Sequence, residues 1–129
     1  MSAKKKVLII TDGSESVKLT AQSLEEALTD YSVKVCSADA FNGTDLLAAD
    51  SFFLGCEKSS PASFSYLQKM LSHINLAGRK CGIFSSNEKA VKYLKKILKD
   101  SEATISEPLL AADGKARAPA IKKLIKETI

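Results

Sequence analysis

Val7-Leu8-Ile9-Ile10 runs straight into Thr11-Asp12-Gly13-Ser14-Glu15-Ser16. The first four residues are apolar without a break, and three of them are β-branched. A strand with one face in water alternates; a parallel strand covered on both faces reads as a continuous apolar run like this one. Beyond the loop, Val17, Ala21, Leu24, Leu28 and Tyr31 recur at helical spacing. The spacing predicts a helix over 14–30 with one face on the sheet. The loop between offers a glycine, three hydroxyls and the free N–H groups of a helix start, which are the parts of a phosphate cradle. It is not a Walker loop, because no Gly-Lys-Ser/Thr follows, and not a dinucleotide fingerprint, because it has one glycine.

The same alternation continues along the chain. Val33-Lys34-Val35-Cys36 alternates, as a half-exposed second strand would, and Asn42-Gly43 makes a turn before a short helix over 44–49. Residues 51–54 form the third strand, ending at Gly55, and Ser60-Pro61 caps the next helix, faced by Phe64, Leu67, Leu71 and Ile74. Residues 81–84 are the fourth strand; Val91, Leu94, Ile97 and Leu98 mark the following helix. Thr104-Ile105-Ser106 begins a fifth strand, which Pro108 interrupts and Leu109-Leu110 resumes, and Ile121, Leu124 and Ile125 face inward from the last helix. Strict strand–helix alternation implies right-handed crossovers and a doubly wound parallel sheet. The alternating strands, two and five, belong at the edges, where a proline is tolerated. The expected order is therefore 2-1-3-4-5 in a five-stranded sheet. Ligands of such sheets bind beyond the strand C-termini at the switch point, here 11–16, 55–60 and 85–88.

At 129 residues, 45% apolar and 26% charged, the chain is expected to be one globular domain over 1–129. No apolar run has the length of a membrane span, and the apolar stretch after the basic start is too short for a signal-peptide core, so a cytoplasmic protein without membrane contact is expected. Cys36, Cys56 and Cys81 are widely spaced, with no Cys-x-x-Cys pair, which favours three reduced thiols over a metal or thioredoxin-like site. His73, the only histidine, sits off the apolar face of its helix and is expected to be exposed rather than catalytic. The net charge of +4 comes largely from Lys4 to Lys6, Lys92/Lys95/Lys96/Lys99 and Lys122/Lys123/Lys126. Solvated helix faces account for these lysines, the functional alternative being a weak preference for acidic partners. No aromatic residues interleave with them, so nucleic acid is not an expected partner.

The chain resembles the flavodoxin family over nearly its whole length. The resemblance rests on the Thr11–Ser16 loop after an apolar strand, Leu54-Gly55-Cys56 closing strand three, and Gly78-Arg79-Lys80 leading into strand four at Phe84. It extends to Glu107-Pro108-Leu109-Leu110 followed by Asp113-Gly114. It implies a flavodoxin-like fold and a non-catalytic electron carrier that holds FMN non-covalently and serves redox partner proteins. The phosphate would lie in the first loop, at Thr11, Asp12, Gly13, Ser14 and Ser16. The ring would lie between the loops of Gly55 and Cys56 and of Ser85, Ser86 and Asn87.

Two departures weaken that site. Asp12 and Glu15 stand in the phosphate loop, and a carboxylate about 5 Å from a phosphate costs roughly 1–3 kcal/mol at intermediate dielectric. Asp12-x-x-Glu15 and Ser85-x-x-Glu88 also have capping-box spacing, so the acids are expected to satisfy helix N–H groups themselves. Residues 56–60 and 85–88 contain no aromatic side chain to stack on a ring, and the chain has no tryptophan. FMN is therefore expected to bind weakly or not at all. Two functions stand: an electron carrier with a weakened flavin site, or a degenerate flavodoxin-like domain acting without flavin as an interaction or regulatory module. A phospho-receiver domain is rejected because Gly55-Cys56 stands where the acceptor Asp belongs. A sugar-phosphotransferase subunit is rejected because 11–16 lacks cysteine.

Overall fold

In the computed structural model, which describes residues 5–40, 42–58, 61–111 and 118–129, both faces of the first strand are covered. Strand β1 is Lys6–Thr11, and all of it but Lys6 is buried. Val7 and Ile9 join one apolar cluster; Leu8 and Ile10 join the other. The first cluster lies under helices α1 (Glu15–Ala27) and α5 (Ala118–Thr128); the second lies under α2 (Gly43–Ala48), α3 (Ser65–Leu71) and α4 (Glu88–Lys99). Period-2 side-chain direction thus sends neighbouring residues of one strand into two different cores.

The remaining strands are β2 (Ser32–Ser37), β3 (Ser51–Gly55), β4 (Lys80–Ser85), β5 (Thr104–Ile105) and β6 (Leu109–Leu110). The order is β2-β1-β3-β4-β5, with β6 also on β4, and every pairing is parallel. Ile10 sits opposite Cys36 on one side and Leu54 on the other, so β1 is the point where the winding reverses. This is the doubly wound α/β fold with the order expected from the strand chemistry.

The fifth strand arrives in two pieces, for a chemical reason. After β5, Ser106 N–H still donates to Cys81 O at 3.0 Å, and Ala111 N–H donates to Ser85 O at 2.9 Å. Pro108 between them has no N–H to give, so the ladder lapses and resumes. At the opposite edge, β2 leaves Val35 40% exposed and ties down Lys34 with Asp45 of α2 at 2.6 Å. The helix predicted over 14–30 is shorter, ending at Ala27, with Leu28 still buried beyond it. Helix α3 is preceded by a 3-10 turn, Ala62–Phe64, entered from Pro61; the expected cap Ser60 lies outside the described residues, as do Ser59 and the Asp113-Gly114 turn. His73 is exposed and Phe64 fully buried, as expected.

Gly82, in the middle of β4, shows how tightly the α1/α5 face is filled. A Cβ there would lie 2.6 Å from the Phe53 ring and 2.7 Å from Thr128 Oγ1. Neither can step aside. Phe53 is fully buried, and the Thr128 hydroxyl bonds Leu124 O at 2.7 Å and Ser106 Oγ at 2.8 Å. Gly82→Ala is therefore expected to lower stability by about 1–3 kcal/mol through overpacking. Urea unfolding reads it as a fall in the midpoint; an unchanged midpoint would show that the α5 terminus gives way.

Candidate functional site

Three loops leave the C-terminal ends of β1, β3 and β4 on the same edge of the sheet, beside the winding reversal. In the first, Gly13 has φ +84, a left-handed conformation that glycine adopts without strain. The turn is held from both sides. Gly13 N–H donates to Thr11 Oγ1 at 3.3 Å, and Ser14 N–H donates to Asp12 Oδ1 at 3.0 Å. Ser14 Oγ donates to the same carboxylate oxygen at 2.6 Å.

The other oxygen of Asp12 reaches across the site. Oδ2 accepts the N–H of Glu57 at 2.9 Å, and Asp12 N–H donates to Gly55 O at 3.2 Å. One carboxylate therefore takes three donors from two loops, and each hydrogen bond to a charged group contributes about 1.5–3 kcal/mol. The second and third loops are bonded to each other as well. Ser85 Oγ donates to Cys56 O at 2.6 Å, and Asn87 Nδ2 donates to Glu57 O. Asn87 N–H in turn donates to Ser85 Oγ at 3.1 Å.

Of the residues singled out from sequence, Thr11, Asp12, Gly13, Ser14, Gly55, Cys56, Ser85 and Asn87 thus belong to one hydrogen-bonded network. Ser86, half-buried, and Ser16 stand outside it. Ser16 Oγ is buried without a hydrogen-bond partner in the first turn of α1. Glu57 was not singled out. It enters through its backbone N–H and C=O, which every residue type carries, so no sequence signal marks it.

Both expected capping boxes are corrected. The residue before α1 is Ser14, which makes no side-chain cap bond; Asp12 spends its oxygens on Ser14 and Glu57 instead. The cap of α4 is Asn87, whose Oδ1 accepts from Ala90 N–H at 2.9 Å. Ser85 is still part of β4, so its hydroxyl turns inward to the neighbouring loop.

These residues do not fit FMN as they stand. The donors of Ser14 that a phosphate would need are already taken by a carboxylate. The two loops that would flank a ring are stitched together. The nearby aromatics look elsewhere: Phe64 is buried, and Tyr93 packs against it at 6.2 Å between centroids and donates its hydroxyl to Gln68 at 3.0 Å. What remains at the mouth is an open depression of about 530 Å³ lined by Glu57, Lys58, Asn87, Glu88 and Lys89. Among the described residues no His/Cys/Asp/Glu cluster could hold a metal ion, and no helix is long and apolar enough to cross a membrane.

No protein-family model matches the sequence, and no curated protein matches it. Solved structures do. Oxidised flavodoxin 2 from Bacillus cereus superposes with a TM-score of 0.75 at 20% identity, over 94% of this chain and 93% of that one. Two-electron reduced flavodoxin from Megasphaera elsdenii gives 0.74 at 20% identity, over 95% and 97%. The flavodoxin of Streptococcus pneumoniae TIGR4 gives 0.70 at 17% identity, over 95% and 94%. The fold is flavodoxin-like over 94–95% of the chain.

All three cysteines are free. Burial, with a smaller contribution from the Asp12 charge, pushes the Cys56 thiol up to about 12. Burial also pushes Cys81 well above its usual range and raises the Tyr93 hydroxyl to about 12. The folded state therefore keeps protons that the unfolded chain releases near pH 9 to 10. Stability is expected to hold below about pH 8 and to fall as pH rises from about 9 towards 12. Urea midpoints at about pH 8 and about pH 10 test this, and Cys56→Ala is expected to flatten part of the slope. A midpoint that rises with pH would contradict it.

Proposed function

We propose that this chain is a flavodoxin-fold protein that works as an interaction or regulatory module, not as a tight FMN carrier and not as an enzyme. The observation that carries the reading is the Asp12 carboxylate. It takes both donors of Ser14 and the N–H of Glu57 as an internal anion, with three hydrogen bonds between 2.6 and 3.0 Å. A phosphate would have to displace it and then sit beside it. The Coulomb cost of about 1–3 kcal/mol at intermediate dielectric equals or exceeds the roughly 0.3–2 kcal/mol that a helix N-terminus returns. Glu15 adds a second negative charge in the first turn. A flavin would further have to part Ser85 from Cys56 and Asn87 from Glu57, without an aromatic wall in either loop to repay the opening.

A second reading has its own support. Ser16 Oγ is buried and unpartnered in the first turn of α1, so one donor of the loop is still free to meet an anion. On this reading the protein is an electron carrier with a weak FMN site at Thr11, Asp12, Gly13, Ser14 and Ser16. The flavin would supply the redox chemistry when bound, and the chain would hold and orient it between the Gly55-Cys56 and Ser85-Ser86-Asn87 loops for redox partner proteins.

Paired fluorescence titrations separate the two. The wild type is expected to bind neither FMN nor riboflavin tightly, and to be colourless as purified. Replacing Asp12 and Glu15 with threonine is expected to tighten FMN by about ten- to a hundredfold, and riboflavin far less, since only FMN carries phosphate. The same replacement removes the Asp12 bridge and is expected to lower the melting temperature. A yellow wild-type protein with tight FMN overturns the module reading and establishes the carrier. Equal effects on FMN and riboflavin would show that the phosphate does not meet these acids.

A further inference from the structure

We propose that the exposed face of α4, continued across the groove to α3, is a docking surface for an acidic protein segment. This rests on the module reading and names the partner it would take. Lys89, Lys92, Lys95, Lys96 and Lys99 are all exposed on α4, while Ala90, Val91, Leu94, Ile97 and Leu98 fill its buried side. At 3.6 residues per turn the five lysines fall within about 120° of arc, and at 1.5 Å per residue within about 15 Å of length. None of the five has an ion pair among the described residues; the ion pairs there belong to Lys34 and Lys123. The acids of this element, Glu88 and Asp100, stand one at each end.

Such a face works against its own helix. Lys92 and Lys96, and Lys95 and Lys99, are four apart, the spacing at which like charges destabilise a helix. Lys96 and Lys99 have a local reason, since the last turn of a helix favours cations. Lys89 has the opposite: it lies in the first turn, at the positive end of the dipole. Solubility needs charge, but it is served as well by mixed signs. A stack of one sign is relieved when carboxylates are laid along it.

The groove beside this face has the chemistry to receive them. It measures about 440 Å³, and Ser65, Gln68 and Lys69 of α3 line it together with Lys96, Ile97 and Asp100. Lys69 and Lys96 supply charge, Ser65 and Gln68 supply hydrogen bonds, and Ile97 gives an apolar floor. Asp100 closes one end and sets a direction, since an acidic residue laid there would be repelled. The cations are all lysine, which makes single, adaptable contacts, whereas phosphate recognition favours the arginine fork. Tyr93, the aromatic residue of α4, is committed to Gln68 and Phe64 rather than presented beside the lysines for a base to stack on. Those two facts favour an acidic polypeptide over nucleic acid.

The test is fluorescence anisotropy with the 129-residue chain and a labelled peptide rich in Asp and Glu with one central leucine. Its Gln/Asn counterpart and a short DNA duplex are the comparison probes. The acidic peptide is expected to bind, and to weaken steeply as salt rises. Lys69→Gln, Lys92→Gln and Lys96→Gln combined are expected to weaken it about tenfold, while Lys18→Gln, Lys122→Gln and Lys126→Gln combined, an equal loss of charge elsewhere, cost less than about twofold. The melting temperature of the first variant is expected to hold or rise, which keeps misfolding from imitating the result. Equal loss in both variants, no binding, or tighter binding of the duplex than of the peptide would each overturn the proposal. An FMN titration of the same samples separates the two readings. Tight FMN with the peptide still bound removes the module reading and leaves this surface standing. Neither ligand bound removes the surface and leaves the module reading in place.

Discussion

Everything else hangs on β1 being covered from both sides. A strand with helices over each face must be apolar along its covered stretch, as β1 is from Val7 to Ile10, and it must offer hydrogen bonds to a neighbour on each edge. β1 does both, with β2 on one edge and β3 on the other. The crossovers on either side of it therefore run in opposite directions, and a crevice opens at its C-terminal end. The crevice is a consequence of the winding, whatever residues happen to fill it. In this chain it is filled from within.

That filling sets the energetic character of the site. An empty crevice keeps backbone N–H groups in readiness for a ligand and leaves them to water meanwhile. Here a charged acceptor from the first loop already satisfies the second, and a buried hydroxyl from β4 satisfies the carbonyl beside it. A ligand entering such a place does not add contacts to a prepared surface. It exchanges contacts, and must win the difference. Gly55 carries the same message from the packing side: a Cβ there would run into the Phe84 ring, so the sheet is closed up to its last residue before the loops begin.

The architecture was legible because its signals are local and repeated. Unbroken apolar runs marked the central strands, alternating runs marked the edges, and Pro108 marked the place where the last strand breaks. The general location of the site was legible for the same reason, since strand order alone locates the crevice. The bonding inside it was not. Asp12-x-x-Glu15 has the spacing of a local cap, but the carboxylate finds a better partner in an N–H forty-five positions away, and nothing near Asp12 in the chain announces it. Ser85 shows the same conflict: a hydroxyl that looks like a cap by spacing is still inside a strand, and the loop beside that strand claims it. Asn87, two residues past the end of β4, takes the cap instead.

The broken fifth strand has a consequence for how these molecules can meet. An edge strand invites addition of another chain in proportion to the row of unpaired N–H and C=O groups it presents. On the β2 side that row is six residues long. On the far side it is two pieces of two residues, parted by a proline. Strand addition at the first edge joins two sheets back to back and stops, because each partner then presents only its interrupted side. Indefinite growth needs two competent edges per molecule, and Pro108 leaves this one with a single edge. For growth of that kind Pro108 is a chain terminator in the polymer sense, since among the described residues the far edge presents only the two short pieces on either side of it.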